Sequence, residues 1–258
     1  SGIAIASTIR WVPMEELSSW LCWHLDVCNF DFVFLFFDCD EKDDEDNEAI
    51  RFAQESKYNS KLILRFRGQA LDAEQKSHCT RWGKLHSYLD DDVPARQELN
   101  AELALVLARE RGLRWLLHID ADELFYPFPP PPEMFQIDHS EDARDFAGGC
   151  RSHFAALDAA EVGIVTYENH EGCPERPRLA DPMREVTLFR RHFSSVPLSP
   201  ATARGVARWR ARSPQRQYFL AYDNGKSAVR APMAISARRI GDRRAIFAWQ
   251  RAPPRQWL

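Results

Sequence analysis

The sequence contains no C-x-x-C pair. Its six cysteines (Cys22, Cys28, Cys39, Cys79, Cys150, Cys173) are scattered over 258 residues. That spacing argues against a zinc ribbon and against a dense disulfide framework. No apolar run reaches membrane-spanning length and no signal peptide is visible. The chain opens Ser1-Gly2 rather than with Met, so it is expected to be a fragment, with room for an upstream anchor. A glycine-rich phosphate loop is also missing. Ile3 to Trp11 has neither glycine nor paired carboxylates, which ranks a nucleotidyltransferase second among the enzyme readings. The acidic run from Asp38 to Glu48 is not an EF-hand, because counting from Asp38 puts Lys42 fifth and Asp43 sixth, where glycine is required. A net charge of −4 makes no case for nucleic acid. The tail after Ala201 is rich in arginine, but we discount a nucleic-acid platform there.

What is present is an alternation of strand and helix. With 45% hydrophobic residues the chain can bury one large core or two small ones. Gly2 to Ser7 reads as a strand. Pro13 opens a helix whose Leu17, Leu21, His24, Leu25 and Cys28 share one face. His24 on that face reads as a hydrogen-bonded core histidine rather than a metal ligand. Phe30 to Phe37 is almost wholly apolar and suits a central strand covered on both sides. Ala49 to Lys57 and Ala95 to Gly112 read as helices, and Lys61 to Arg67 as a strand; Leu71 to Asp92 is polar and ambiguous. Asp142 to Asp158 is expected to be partly helical, and Gly163 to Tyr167, Glu185 to Phe193 and Gln217 to Tyr222 to be strands. Val196 to Pro214 reads as loop, and Ser227 to Ile235 as a hairpin partner. This order predicts a doubly wound α/β layer, mostly parallel. Residues 1–235 form the expected domain, and 236–258 a basic tail without pattern.

The chemistry gathers at Trp115-Leu116-Leu117-His118-Ile119-Asp120-Ala121-Asp122-Glu123-Leu124-Phe125. A buried strand running into three carboxylates creates repulsion that a divalent cation relieves. On a regular strand Asp120 and Asp122 would share one face. We read them as a D-x-D site for Mn²⁺ or Mg²⁺ holding a nucleotide diphosphate; the competing reading is a solvated turn. Asp38, at the carboxyl end of its strand, stands where open α/β sheets bind ligands. The polar cluster Glu168 to Gly172 follows another strand, as either an acceptor-side loop or an ordinary turn.

Taken together, the helix with Glu16, Trp20 and His24, the segments Arg96-Gln97-x-x-Asn100, D-x-D-E, Asn169-His170-Glu171-Gly172 and Tyr222 to Arg230 (YDNGKSAVR) resemble the glycosyltransferase family 2-like and family 92 group. The resemblance covers about Ile3 to Arg230. It implies a GT-A type, Rossmann-like sheet with an antiparallel extension. It also implies a UDP- or GDP-sugar donor, a glycan acceptor and a Golgi enzyme held by an N-terminal membrane anchor. On its pattern Asp120 and Asp122 hold the metal, Ser7, Thr8 and Asp38 lie near the nucleoside, Gln97 and Asn100 line the donor pocket, and Lys226 faces the donor phosphates or the acceptor. The family usually adds a metal-binding histidine after the N-G-K segment, yet Ala231 to Leu258 has no histidine. Glu171 is the first candidate for the base that takes the acceptor proton. Glu123 is either a second candidate or a support for the metal ligands. A rival reading is a catalytically degenerate domain that binds glycan or protein.

Overall fold

The computed structural model describes residues 2–40, 47–126, 142–167, 169–189, 197–212 and 225–231. Strand β1 (Gly2–Ile9) leads to α1 (Met14–Leu21), which continues as a π-helical turn, Cys22–Val27. Then come β2 (Phe32–Asp40), α2 (Glu48–Glu55), β3 (Leu62–Arg67), α3 (Gln69–His78), α4 (Trp82–Leu85), α5 (Val93–Glu110) and β4 (Leu113–His118). After these lie α6 (Asp142–Ala159), β5 (Ile164–Tyr167), β6 (Gly172–Cys173), α7 (Pro182–Glu185), β7 (Leu188–Phe189), α8 (Pro200–Arg212) and β8 (Lys226–Arg230).

Six strands form one sheet in the order β3-β2-β1-β4-β8-β5. The first four run parallel, and β8 runs antiparallel to both β4 and β5. This is the expected mostly parallel sheet with an antiparallel extension. Strand alternation sorts the core into two layers. Ile3, Ile5, Leu35, Trp115 and Leu117 face α1, α2 and α6, whereas Ala4, Ala6, Phe34, Phe36 and Leu116 face α3 and α5. The small side chains of Ala4 and Ala6 let α5 lie close over the middle of the sheet. Gly112, at φ +67 after the last turn of α5, takes the left-handed conformation that stops a helix and starts β4.

Three readings of the sequence change. The polar stretch 71–92 is mostly helical, because Leu71, Gln75 and Cys79 at helical spacing are enough to bury one side of α3. The segment 196–214 is not all loop: Pro200 opens α8, Ser199 Oγ accepts the Thr202 N–H at 3.1 Å, and alanine and arginine carry the helix onward. Of the strand expected over 185–193, residues 185–189 are described, and within them Leu188–Phe189 forms β7, paired with β6 in a two-stranded ribbon; 190–193 lie outside the described residues. Ser227 to Arg230 pairs with β4 and β5. Gln217 to Tyr222, the acidic residues 41–46, the prolines 127–132 and the tail 232–258 lie outside the described residues.

Candidate functional site

Strand β4 ends at His118, so the D-x-D motif is a turn beyond the strand and its two aspartates do not share a strand face. The turn is closed on itself. The Glu123 N–H donates to the Asp120 carbonyl at 3.2 Å, and the Glu123 carboxylate accepts the Asp120 N–H at 3.0 Å. Its exit is fastened by the first helix: Trp20 Nε1 donates to the Glu123 carbonyl at 2.8 Å and Trp23 Nε1 to the Phe125 carbonyl at 3.0 Å. His24 completes the attachment. Its Nε2 accepts the Phe125 N–H at 3.1 Å, which requires the other nitrogen, Nδ1, to carry the proton it donates to the Trp20 carbonyl at 2.8 Å. Burial pushes the His24 pKa down to about 3, so the ring is neutral. It is the satisfied core histidine the helix pattern suggested.

Above the turn, α5 and β8 converge. Gln97 Nε2 donates to Asp120 Oδ1 at 3.0 Å, and Lys226 Nζ to Asp120 Oδ2 at 2.5 Å. Lys226 is also 3.3 Å from Glu123 Oε2, and Asn169 Nδ2 donates to Glu123 Oε1 at 2.7 Å. The lysine is 4% exposed, so its charge is balanced by carboxylates rather than by water. Gly225 explains how the lysine gets there. A Cβ at this position would run into the Tyr167 carbonyl of β5, so glycine alone allows the chain to pass. Burial raises the Glu123 carboxyl, which Lys226 partly offsets. Burial likewise brings the neighbouring His118 down to about 4.

The other predicted residues separate into groups. Thr8 joins α5: Asn100 Nδ2 donates to Thr8 Oγ1 at 3.0 Å and accepts from Gln75 Nε2 at 2.8 Å. Ser7 points to the opposite face of β1 and is fully buried; its hydroxyl has no hydrogen-bond partner among the described residues. Asp38 is held by Arg96, whose Nε is 2.8 Å from Oδ1 and whose Nη2 donates to Oδ2 at 2.9 Å. Asp38 and Arg96 line a cleft with Arg67, Asp72, Gln75 and Asn100, walled by Phe37, Leu71 and Leu89. Glu171 is exposed beside β6, and Asn169 of the same loop reaches the D-x-D turn. Asn169, Arg96, Gln75 and Trp20 received no role from the sequence. Arg96 and Asn169 stood inside recognised segments, while Gln75 lay in a stretch without pattern.

Asp122 is exposed, and its carboxylate accepts from its own backbone N–H. Loss of hydration raises its carboxyl, and Asp120 raises it further. On the same side Glu16 is raised by burial, then by Asp181 and Asp122. Asp120 is paired with Lys226 and Asp181 with Arg184, so the open Asp122 carboxylate, with Glu16 beside it, is the group that fits a divalent cation. Among the described residues no three His, Cys, Asp or Glu side chains form a metal cage, so most ligands would come from phosphate and water, as is usual for Mg²⁺.

No family model matches the chain. Among solved structures, a 4-diphosphocytidyl-2C-methyl-D-erythritol synthase from Anaerococcus prevotii aligns over 94% of this chain and 76% of its own, at 12% identity and a TM-score of 0.33. Similarity of that size assigns neither fold nor function. Among curated proteins, two from Arabidopsis thaliana, both named glycosyltransferase-like, are 30% identical over 138 residues and 31% identical over 135. Each match takes in 52% of this chain and only 23% and 26% of the two relatives. Over about half its length the chain is therefore related to proteins named glycosyltransferase-like.

Proposed function

We propose that this chain carries the donor site of a glycosyltransferase of the family 2-like and family 92 group. It moves a sugar from UDP or GDP to a hydroxyl of a glycan, glycoprotein or glycolipid, with Mn²⁺ or Mg²⁺ as cofactor. The observation that carries the proposal is the D-x-D turn at the carboxyl end of β4, beside the end of β1, with a buried lysine delivered to it by β8. Ligands of open α/β sheets bind at such strand ends.

In this reading Asp122 and Asp120 hold the ion, which neutralises charge on the diphosphate leaving group. Lys226 supplies a second positive charge at the same place. The cleft beside Thr8, Asn100 and Asp38 receives the nucleoside, and Gln97 orients Asp120. If the anomeric centre inverts, the acceptor hydroxyl gives its proton to Glu171, two residues past Asn169. Glu123 already accepts from Asn169 and the Asp120 N–H and faces Lys226; its role is to position the turn. The same reading places the full-length protein in the Golgi or another endomembrane lumen.

The test is calorimetric titration of UDP with Mn²⁺ and then with chelator, followed by GDP. Binding that needs Mn²⁺ and disappears in Asp122→Ala supports the reading; silence of every nucleotide on folded protein sinks it. A second reading, a degenerate glycan- or protein-binding domain, draws on one observation. Both Asp120 oxygens are already engaged within the protein, and it expects no metal-dependent nucleotide binding.

A further inference from the structure

We propose that Lys226 is the resident counter-ion of the D-x-D turn and competes with the divalent cation for the Asp120 carboxylate. The inference rests on the metal-dependent donor site proposed above and concerns how that site is switched on.

The ammonium group is not a loose surface charge. Lys226 is buried at the first position of β8, whose next residue, Ser227, pairs with His118 on β4. The β5 backbone crowds Gly225 behind it, so the lysine backbone is fixed over the turn. From there Nζ contacts Asp120 Oδ2 at 2.5 Å and stands 3.3 Å from Glu123 Oε2, while Gln97 occupies Asp120 Oδ1. Asp120 is thus neutralised from within, and Asp122 is the open carboxylate. A divalent cation arriving alone meets one open ligand and a nearby positive charge, and like charges this close repel strongly. A nucleoside diphosphate changes the balance, because its oxygens give both the ion and the ammonium a negative partner. Free metal should therefore bind poorly, and metal should bind well only together with the nucleotide. The lysine keeps the site from filling with an ion when no donor is present.

The experiment measures Mn²⁺ binding to the intact chain without nucleotide, by the electron paramagnetic resonance signal of free Mn²⁺. Wild type is compared with Lys226→Met, Lys226→Gln and the charge-retaining Lys226→Arg. Neutral variants are expected to bind Mn²⁺ at least tenfold more tightly than wild type, with Lys226→Arg unchanged. Asp120→Asn in the Lys226→Met background should return the affinity to the wild-type level. A purely structural role would lower thermal stability without tightening metal binding. If folded Lys226→Met and Lys226→Gln bind Mn²⁺ no better than wild type while wild type still binds UDP with Mn²⁺, competition is overturned and the donor site stands. If wild type and every variant fail to bind UDP with Mn²⁺, the donor-site reading falls, and this inference with it.

Discussion

His24 should make the fold acid-sensitive in a calculable way. The native state holds the ring neutral, with one nitrogen donating to the Trp20 carbonyl and the other accepting from the Phe125 N–H. Protonation would set an N–H against an N–H. The folded pKa of about 3 lies below the ordinary 6.5, so between these values the unfolded chain takes up a proton that the native state refuses. Stability is unaffected above pH 6.5 and falls as pH drops toward 3. The gap corresponds to on the order of 5 kcal/mol, and by pH 4.5 to roughly 2.5 kcal/mol. His118, buried with a pKa of about 4, adds a second proton over much of the same window. Urea unfolding followed by tryptophan fluorescence at pH 7, 6, 5 and 4.5 gives the slope for wild type and His24→Gln. The variant loses hydrogen-bond geometry at every pH, so slopes are compared rather than absolute values. The expected result is a slope about half that of wild type below pH 6. Parallel curves would refute the assignment of His24 as a neutral, doubly bonded ring.

Other predictions concern the rest of the site. Gly225→Ala forces a methyl against the Tyr167 carbonyl; thermal melting should show a loss of about 3 kcal/mol. Arg96→Met strands the Asp38 carboxylate, whose side chain is only 2% exposed, and should cost about 3–5 kcal/mol in urea unfolding. Asp122→Asn, at an exposed position, should change stability by less than about 0.5 kcal/mol yet abolish Mn²⁺-dependent UDP binding in calorimetry.

The parallel half of the sheet was readable because buried parallel strands are continuous apolar runs, as in FDFVFLFF, and because α5 carries an apolar stripe ending at Gly112. Two of the helices were harder. Helix α3 buries Gln75 and Cys79 where a pattern search wants leucines, and α8 is held by a cap and alanines with one buried valine, Val206. In the site, the D-x-D motif announced itself through charge at the end of a strand, while its shape did not. The turn depends on a glutamate carboxylate folding back on an N–H, and no periodicity encodes that. Arg96 illustrates a further limit: an arginine in a helix reads as solvent-facing until its partner, 58 residues earlier, is known.

The attachment of the D-x-D turn to the first helix also governs how the site is built. Trp20 and Cys28 reach partners 103 and 97 residues away, so the loop that would grip a diphosphate is closed by contacts of very high sequence separation. Such contacts form late, once the intervening chain has condensed. The site and the core therefore belong to one cooperative unit. The Phe125 amide should exchange its hydrogen only as slowly as the whole fold opens, so the turn cannot fray independently to admit or release a ligand. Exchange of ligand falls instead to the side that is not bolted down, where Asp122 faces solvent.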